Sequence, residues 1–257
     1  ITAIINDARG EELAKRWGLL NSGGAPMPVE LIEHVKDLGL LFTEGWGMSE
    51  TTSVGVGSPI LGMKKVGSIG VPMPDTDIRI VDVKEGIEEV KQGEPGELLI
   101  RSPLVMKEYF GCPEETAGQL KDGWLSTGDV VARDRDDYLF IVDRKKDLVI
   151  AGGYNIYPRE IDEVLFEHPK VLEAVSVGIP DAYRGETMKA YVVLKPGESA
   201  EAGEIIDFCR QRLAAYKIPR SVEFRQSLPK SAVGKVLRKI LRDEEAARAK
   251  QADPVLR

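Results

Sequence analysis

Cysteine and histidine are scarce in this sequence, with two residues of each among 257. Cys112 and Cys209 lie far apart and form no Cys-x-x-Cys pair, which disfavours a disulfide framework and a thiolate metal site. Such sparing use of cysteine fits a protein of the reducing cytoplasm. His34 and His168 each follow a helical pattern without a second ligand-type side chain nearby, so we expect packing or surface roles for both.

Long apolar runs and a surplus of positive charge are also missing. No stretch of about 18 apolar residues occurs, so the sequence predicts no membrane-spanning helix. The first residues show no basic region followed by an apolar core, as a signal peptide would, and residue 1 is Ile rather than Met. The 35 basic residues are outnumbered by 42 acidic ones, giving a net charge of −7, which disfavours nucleic acid as a partner.

Three familiar site motifs are absent as well. The Gly234-Lys235 pair lacks the upstream glycine and the following Ser or Thr of a GxxxxGK[ST] phosphate loop. No GxGxxG dinucleotide fingerprint opens a helix after a strand. The segment 47–51 approaches the GxSxG esterase elbow, but Thr51 replaces its second glycine.

Hydrophobic patterning indicates two different regions. Apolar residues at helical spacing predict a helix over 28–39, with Pro28 suited to the first helical position. Between 66 and 142, Gly and Pro turns separate short strand-like runs, which predicts a β-rich region. These runs cover 78–83, 98–100 and 138–142.

Strands and helices alternate after the charge run Asp-Arg-Lys-Lys-Asp at 143–147, which predicts a small α/β or α+β domain. The predicted strands cover 148–150, 171–177, 190–194 and 222–224, and the predicted helices cover 161–168, 205–213 and the residues from 237 onward. We therefore expect one domain over 1–142, a hinge at 143–147 and a second domain over 148–257. Charge alone would favour a solvated turn at 143–147.

Five short segments carry the chemistry, and two of them precede the β-rich region. Ser-Gly-Gly-Ala-Pro at 22–26 permits close backbone approach to a flat ligand, although alone it indicates only a turn. Glu-Gly-Trp-Gly-Met-Ser-Glu-Thr-Thr at 44–52 offers an aromatic ring for a base, and hydroxyls and an acid for phosphate and Mg²⁺. A glycine-rich loop with a core tryptophan explains the second segment equally well.

The other three segments occur later in the chain. Asp-Gly-Trp-Leu-Ser-Thr-Gly-Asp at 122–129 places a carboxylate after a tight turn, where it suits ribose hydroxyls or simply the turn itself. The basic run at 143–147 leads through a predicted strand to a double-glycine turn and a helix within 152–160. Leu-Pro-Lys-Ser-Ala-Val-Gly-Lys at 228–235 presents a lysine on a glycine-containing loop, where it could reach a ligand, although a solvated lysine is the commoner outcome.

In this order and spacing, the five segments resemble the adenylate-forming superfamily of acyl-CoA synthetases, firefly luciferase and peptide-synthetase adenylation domains. The resemblance extends from Ser22 to Lys235, and Gly-Gly-Tyr-Asn-Ile-Tyr-Pro-Arg-Glu-Ile at 152–161 looks most like bacterial fatty and aryl acyl-CoA ligases. It implies a mixed α/β and α+β fold. In that fold, 1–142 would be an incomplete β-rich part of a large N-terminal AMP-binding domain, and 148–257 a complete small lid domain.

The resemblance also assigns roles to particular residues. It places two sets of residues around the adenine, with Trp46 stacking on the base: Gly23, Gly24, Ala25 and Pro26, and then Glu44, Gly45, Trp46, Gly47, Met48 and Ser49. The resemblance also implies that Ser49 contacts phosphate and that Glu50 binds the Mg²⁺ ion. The remaining assignments are Asp129 and Arg144 to the ribose, Lys146 to the hinge, Gly152 and Gly153 to the pantetheine channel, and Lys235 to the carboxylate and α-phosphate during adenylation.

The activity that the resemblance implies is ATP-dependent carboxylate–CoA ligation in the cytoplasm, on a fatty or aryl acid, with ATP, AMP, Mg²⁺ and CoA. One alternative is transfer of the acyl group to a carrier protein. The family's Ser/Thr/Gly-rich loop with a following lysine, which grips the β- and γ-phosphates, does not occur in this sequence. We therefore expect roughly the C-terminal half of a longer enzyme, inactive alone, with a non-catalytic nucleotide-binding or lid module as the other alternative.

Overall fold

In the computed structural model, the described residues are 12, 16–24, 29–231, 234 and 236–252. The chain divides into two compact units, Ile1–Ile141 and Val142–Arg257. This division falls one residue before the boundary expected from the charge pattern. The assignment of 143–147 as a hinge stays a prediction.

The first unit begins with a four-stranded sheet in the order β1-β2-β3-β4. Its strands are β1 (Leu19–Gly23), β2 (Leu41–Trp46), β3 (Val56–Gly57) and β4 (Val71–Pro72). Strands β1 and β2 are parallel, because helix α1 (Val29–Asp37) connects them. Ile32 and Val35 lie one helical turn apart on α1 and are buried against Leu40 and Phe42. The predicted helix is thus present over 29–37, and Pro28 lies outside the described residues.

A second, antiparallel sheet follows in the order β5-β6-β8-β7, with β9 paired to β8. Its strands are β5 (Asp77–Val81), β6 (Gly96–Arg101), β7 (Leu120–Lys121), β8 (Trp124–Arg133) and β9 (Leu139–Arg144), with the short helix α2 (Pro113–Gln119) before β7. Leu98 and Ile100 of β6 are fully buried in one core with Leu125, Val131 and Leu139. The β-rich region predicted between 66 and 142 is confirmed.

The second unit contains one five-stranded sheet in the order β11-β10-β13-β12, with β14 paired to β13. Its strands are β10 (Val149–Ala151), β11 (Tyr154–Ile156), β12 (Val171–Asp181), β13 (Gly185–Leu194) and β14 (Ser221–Phe224). Its helices are α3 (Pro158–Phe166), α4 (Ala202–Arg210) and α5 (Arg238–Ala252). The mixed α/β class expected from the sequence is confirmed.

Both faces of this sheet are covered, and the alternation along β13 shows how. Met188, Ala190 and Val192 belong to the core that contains residues of α3 and α4. Tyr191 and Val193 belong to the core that contains Leu241 of α5. Successive side chains of a strand point to opposite faces, so a strand buried on both faces has a continuous apolar run.

Some boundaries differ from those predicted. The helix expected over 161–168 begins at Pro158 and ends at Phe166, and its earlier start follows from the preference of proline for the first helical turn. The strand expected over 190–194 begins at Gly185, since its first half pairs with β12. Strands β1 and β2 were not predicted. Within the described parts of the chain, no helix is long and apolar enough to cross a membrane.

Candidate functional site

The first two sequence motifs meet at the carboxyl ends of β1 and β2. The parallel register pairs Ser22 with Glu44 and Gly23 with Gly45. A Cβ atom on Gly23 would lie 3.2 Å from the carbonyl oxygen of Gly45, so the two backbones approach closely there. Ligands of open α/β sheets bind at this edge, beyond the carboxyl ends of the strands.

Ala25 and Pro26, which the resemblance also placed at the adenine, lie outside the described residues. Gly24, which follows β1, has a φ of +79°, a backbone conformation that favours glycine.

After β2 the chain closes into a tight loop. A Cβ atom on Gly47 would lie 2.2 Å from the carbonyl oxygen of Ser53, so only glycine fits there. The Met48 amide donates to Thr51 Oγ1 at 3.0 Å, and the same hydroxyl donates to the Met48 carbonyl at 3.1 Å. This loop holds a 3₁₀ turn, Ser49–Thr51, on which Ser49 is exposed and Glu50 is half-buried.

Glu50 has a defined partner in a distant part of the sequence. The Tyr109 hydroxyl donates to Glu50 Oε1 at 2.8 Å. Burial and the neighbouring Glu50 carboxylate raise the pKa of Tyr109 to about 12, so the phenol keeps its proton at neutral pH. Glu50 therefore has a fixed carboxylate whose bonded partner is a neutral donor.

This carboxylate suits the Mg²⁺ ion that the resemblance implies. Among the described residues, no group of three or more His, Cys, Asp and Glu side chains is arranged to hold a metal ion. Mg²⁺ is commonly bound through one or two carboxylates, with water and phosphate oxygens as its other ligands. A single oriented carboxylate thus fits an ion that arrives with ATP.

The second and third motifs are joined by one buried hydrogen bond. Trp46 Nε1 donates to Asp129 Oδ2 at 2.8 Å, and the two residues are 8% and 4% exposed. The indole packs in the core with Val56, Leu98 and Ile100. This placement fits a core tryptophan in a glycine-rich loop, and stacking of Trp46 on adenine stays a prediction.

Asp129 follows the expected turn in the chain and lies within β8. Asp122 and Gly123 form that turn with φ angles of +52° and +79°, and Gly128, directly before Asp129, has a φ of +70°. Thr127 Oγ1 accepts the Asp129 amide at 3.1 Å and donates to the Leu98 carbonyl at 2.8 Å. Ribose binding by Asp129 stays a prediction.

In the second unit, the basic segment 143–147 is anchored at its first residue by two hydrogen bonds. The buried Asp143 carboxylate accepts the amides of Arg144 at 2.7 Å and Arg159 at 2.8 Å. Burial raises the pKa of Asp143 above its ordinary value, and these hydrogen bonds oppose the rise. The ribose role of Arg144 stays a prediction.

Lys146 lies on a 3₁₀ turn, Lys145–Asp147, and is exposed. Arg242 of α5 donates to the Lys146 carbonyl at 2.9 Å and to Asp147 Oδ1 at 2.7 Å. Helix α5 therefore holds this turn by one arginine. The function of Lys146 as a pivot stays a prediction.

A second arginine of α5 reaches the centre of the unit. Arg238 forms a charge-assisted hydrogen bond with Asp162 of α3, and its guanidinium lies 3.8 Å from Asp147 Oδ2. Ser176 of β12 also donates its amide to Asp162. Burial raises the pKa of Asp162, and the charge of Arg238 opposes that rise.

The double glycine predicted at 152–153 forms the two-residue turn between β10 and β11. Register pairs Ala151 with Tyr154, and the φ angles of Gly152 and Gly153 are +58° and +85°. Both glycines are exposed, and added Cβ atoms would meet nothing within 4 Å. Glycine is needed there for backbone conformation, as in a type I′ hairpin.

Tyr154 follows this turn and stacks on Tyr216, with ring centroids 4.6 Å apart and an interplanar angle of 21°. Lys217, next to Tyr216, forms a salt bridge with Glu160 near the start of α3, with 2.6 Å between Lys217 Nζ and Glu160 Oε2. The sequence analysis did not single out these residues. Their separation along the chain hides the contact, and only the aromatic residue after the double glycine gives a local signal.

Lys235, the lysine assigned to adenylation, lies outside the described residues. Near it, Lys230 and Val236 form an isolated antiparallel bridge, and the Gly234 amide donates to the Ser231 carbonyl at 2.9 Å. Lys230, the other lysine of this motif, forms a salt bridge with Glu173 at 2.6 Å.

Comparison with known families bears directly on these motifs. The family model of AMP-binding enzymes matches residues 3–110, and the model of the AMP-binding enzyme C-terminal domain matches residues 160–235. Together the two matches cover more than half of the chain. The chain belongs to the AMP-binding enzyme family. The resemblance inferred from the five motifs is thereby confirmed.

Relatives of this AMP-binding protein include a long-chain-fatty-acid–CoA ligase from Bacillus subtilis, 50% identical over 225 residues. That match covers 87% of this chain and 40% of the relative. The corresponding ligase of Escherichia coli O157:H7 is 41% identical, with 94% of this chain and 43% of the relative covered.

Solved structures show the same relation. ATP-bound MatB from Rhodopseudomonas palustris matches with a TM-score of 0.89 and 31% identity, over 95% of this chain and 48% of MatB. O-succinylbenzoate–CoA synthetase (MenE) from B. subtilis, in complex with ATP and magnesium, matches with a TM-score of 0.77 and 35% identity, over 91% of this chain and 49% of MenE. The AMP-binding chain thus spans less than half the length of these relatives.

Within this AMP-binding protein, the structure brings the first three motifs together in the first unit. Glu50 is joined to Tyr109, which the sequence analysis missed, because 59 residues separate the two and no local pattern links them. In the second unit, the segment 145–147 and the 152–153 turn are each held by contacts within that unit.

Proposed function

We propose that this chain is part of a carboxylate–CoA ligase that first forms an acyl-adenylate from ATP and then a thioester with CoA. The observation that carries the proposal is the meeting of the glycine motifs at the carboxyl ends of β1 and β2, with the Trp46–Asp129 hydrogen bond joining the second motif to the third. Family membership and the names of the relatives support the same reaction.

In the first half-reaction, the substrate carboxylate attacks the α-phosphate of ATP and pyrophosphate leaves. The close backbone approach at Gly23 and Gly45 suits the flat adenine, and Ser49 is exposed for a phosphate oxygen. Glu50 would hold Mg²⁺, which neutralises charge on the phosphates when bound. Asp129 and Arg144 keep the ribose roles that the resemblance assigns to them, and Lys235 would place its ammonium at the α-phosphate.

In the second half-reaction, the CoA thiol attacks the acyl carbonyl, a thioester forms and AMP leaves. The exposed Gly152-Gly153 turn suits the narrow pantetheine arm, because no side chain stands on it. We propose that Lys146 lies at the pivot between the conformations that serve the two half-reactions. Two reactions with different partners at one site favour such a reorienting lid.

The substrate class is the finer part of the proposal. The relatives named as long-chain-fatty-acid–CoA ligases favour a fatty acid. Other similar structures are an anthranilate–CoA ligase and an O-succinylbenzoate–CoA synthetase, which keeps an aryl acid open. A panel of fatty and aryl carboxylates with the complete enzyme, followed by AMP release, distinguishes the two classes.

Two alternatives are tested separately. Transfer to a carrier protein uses the same phosphopantetheine arm, so free CoA and a holo carrier protein should be compared as acceptors. A non-catalytic role is tested by ATP–pyrophosphate exchange with these 257 residues and with the complete enzyme. We expect exchange only with the complete enzyme, because the loop that grips the β- and γ-phosphates is missing from this sequence.

The location that we propose is the cytoplasm, the compartment of ATP, CoA and reduced thiols. Two free cysteines support it, one buried and one half-buried, since neither forms a disulfide. Fractionation of cells that express the complete enzyme tests this proposal.

The decisive experiment for the reaction is Lys235→Ala in the complete enzyme, with the two half-reactions assayed separately. Removing a preorganised charge at the reacting phosphate typically lowers a rate by about 10²–10³-fold. We expect acyl-AMP formation to fall by this factor, while thioester formation from preformed acyl-AMP and CoA stays near the wild-type rate. Equal loss in both half-reactions of a folded variant, or no loss in either, contradicts the assigned role.

A further inference from the structure

The turn that carries Ser49 and Glu50 is braced from a segment more than fifty residues away. Three hydrogen bonds join them: the Met106 amide donates to the Glu50 carbonyl at 2.8 Å, Thr52 Oγ1 donates to the Leu104 carbonyl at 2.8 Å, and the Tyr109 hydroxyl donates to Glu50 Oε1 at 2.8 Å. The first two of these bonds hold the turn against the segment 104–106. The third fixes the carboxylate itself.

Tyr109 is held in turn by the residues that begin α2. Its amide donates to Thr116 Oγ1 at 2.9 Å, and the same hydroxyl donates to the Cys112 carbonyl at 2.8 Å. The Cys112 amide donates to the Tyr109 carbonyl at 3.0 Å, which closes a turn around the tyrosine. The phenol therefore reaches Glu50 from an anchored backbone.

The chemistry of this contact differs from that of an ion pair. A lysine or arginine at this place would neutralise Glu50 and compete with a metal ion for it. A neutral phenol donor orients the carboxylate and leaves its negative charge in place. Residues that hydrogen-bond a ligating carboxylate typically change metal affinity about 10- to 100-fold when removed.

We propose that Tyr109 is a positioning residue for Glu50. The Tyr109 hydroxyl orients the Glu50 carboxylate toward the Mg²⁺ that accompanies ATP. The inference rests on the proposed function, in which Glu50 is the protein ligand of that ion. It adds a residue that the five motifs do not contain. It also gives the segment 104–109 a specific role in the adenylation half-reaction.

The test is Tyr109→Phe in the complete enzyme, with binding measured in the absence of a carboxylic acid substrate. Electron paramagnetic resonance of Mn²⁺ gives the dissociation constant of Mn²⁺–ATP from the enzyme. A separate binding titration in EDTA, which does not use the Mn²⁺ signal, gives the dissociation constant of metal-free ATP from the enzyme. We expect Mn²⁺–ATP to bind about 10-fold more weakly and metal-free ATP to bind unchanged. Equal weakening of both forms, or of neither, overturns the proposal.

A matched control removes a similar hydroxyl from the same unit. Tyr138 donates its hydroxyl to the Met63 carbonyl at 2.5 Å, away from the brace on Glu50. Tyr138→Phe should leave Mn²⁺–ATP binding at the wild-type value. If it weakens that binding as much as Tyr109→Phe does, the effect comes from general loss of stability and the proposal fails.

Glu50→Gln separates failure of this inference from failure of the proposed function. If Glu50→Gln leaves Mn²⁺–ATP binding unchanged, Glu50 is not the metal ligand. Both the inference about Tyr109 and the role of Glu50 in the proposed function are then overturned. If Glu50→Gln weakens binding and Tyr109→Phe does not, only the role of Tyr109 is overturned. In the double variant, Tyr109→Phe should add no further loss to Glu50→Gln, whereas additive losses contradict the proposal.

A second variant keeps the inference testable if Tyr109→Phe does not fold. Thr116→Val removes the hydroxyl that accepts the Tyr109 amide but leaves the phenol in place. We expect a rise in the Mn²⁺–ATP dissociation constant of about 2- to 5-fold, smaller than that of Tyr109→Phe because the phenol is retained. An unchanged constant contradicts the anchoring role of Thr116 and, with it, the proposed path to Glu50.

Discussion

In the first unit, Gly47 is enclosed by backbone, and the neighbouring Trp46 and Asp129 are buried against each other. In the second unit, Gly152 and Gly153 stand on an exposed turn with open space around them. Close packing thus holds Trp46, Gly47 and Asp129 in the first unit. The second unit instead combines turn geometry with ion pairs between arginines of α5 and buried carboxylates.

This contrast indicates what each motif requires. Under the proposed function, residues that meet a rigid nucleotide would gain from a site fixed by packing, because misplacement of a reacting group by about 1 Å can cost 10²-fold in rate. Under the same proposal, a turn that admits a flexible arm would need only to remain narrow. The two kinds of glycine look identical in the sequence, and substitution distinguishes them.

Tryptophan fluorescence follows the first unit, and its comparison with circular dichroism, which reports both units, reveals changes in the second. All three tryptophans, Trp17, Trp46 and Trp124, lie within Ile1–Ile141. Fluorescence therefore reports unfolding of the first unit, and hydrogen exchange reports both units residue by residue. Separate transitions are expected of a chain with two units, so each unit needs its own probe.

The largest effect is expected from Arg238→Met in the second unit. Arg238 pairs with the buried Asp162 and lies near Asp147, so its removal leaves a buried carboxylate without its main compensating charge. Breaking such a pair costs about 3–5 kcal/mol. Urea unfolding should show this loss in circular dichroism, while the fluorescence transition of the first unit stays in place.

The pH dependence of this variant has a definite sign. Burial already raises the folded pKa of Asp162, and loss of Arg238 raises it further, so the folded protein binds a proton that the unfolded chain releases near pH 4. Because the pKa of Asp162 in the wild-type protein is itself raised to about 7, the stability of the variant relative to the wild type should fall as the pH rises through about 7 and above. Arg212→Met, which removes an exposed pair with Glu167, is the control, and it should cost less than about 1 kcal/mol.

The second prediction compares Gly47→Ala with Gly152→Ala. The methyl group added at position 47 would meet backbone at 2.2 Å, which forces the loop to shift and should cost about 3 kcal/mol in the fluorescence-detected transition. At Gly152 the only obstacle is a φ of +58°, so alanine should cost about 1–2 kcal/mol, in the second unit alone. Similar losses at both positions would remove the contrast between packing and turn geometry.

The third prediction concerns the stack that supports the exposed turn. Tyr216→Ala removes the ring on which Tyr154 lies, and an aromatic pair contributes about 0.5–1.5 kcal/mol beyond its buried area. Amide hydrogen exchange across β10 and β11 should become faster, whereas exchange in β12 and β13 stays near wild type. Tyr216→Phe retains the stack and should restore slow exchange, and equal exchange in both variants would show that the stack does not hold the hairpin.

The smallest effect is expected at an exposed loop of the first unit. The Asp82 carboxylate accepts four backbone amides, from residues 84, 85, 87 and 88, and these hydrogen bonds lower the pKa of Asp82 to about 2. Because the folded pKa is lowered, its stabilisation is present above about pH 4 and is lost as the pH falls toward 2. Asp82→Asn should flatten the fluorescence-detected loss of stability between these pH values. If the stability of Asp82→Asn falls between about pH 4 and about pH 2 as steeply as that of the wild type, the hydrogen bonds to Asp82 do not cause the loss.

Much of the fold was predictable wherever local pattern and tertiary burial agree. The core of β12 and β13 is directly visible as apolar runs, since both faces of that sheet are buried. Strand β1 could not be predicted, because Leu-Leu-Asn-Ser-Gly is short and half-polar and its pairing depends on β2, about twenty residues later. The continuous β8 was hidden because Gly128 lies within it.

The candidate site was predictable in its motifs but not in its contacts. Spacing within 44–52 allowed two interpretations of Trp46, and the spacing does not reveal that its indole is buried. The partners of Trp46 and Glu50 lie 83 and 59 residues away, at distances that the sequence pattern does not encode. Motif residues could thus be named from the sequence, whereas the side chains that hold them could not.

The hydrogen bond between Trp46 and Asp129 also makes the fluorescence of Trp46 sensitive to changes at Asp129. An excited indole is sensitive to the charge at its Nε1, so a ligand that draws Asp129 away should shift the emission of Trp46. Trp124 lies beside Arg79 and Arg101, with cation-to-ring distances of 5.7 Å and 4.7 Å, and offers an internal reference with a different neighbourhood. Under the proposed function, intrinsic tryptophan fluorescence would then report nucleotide binding without an added dye.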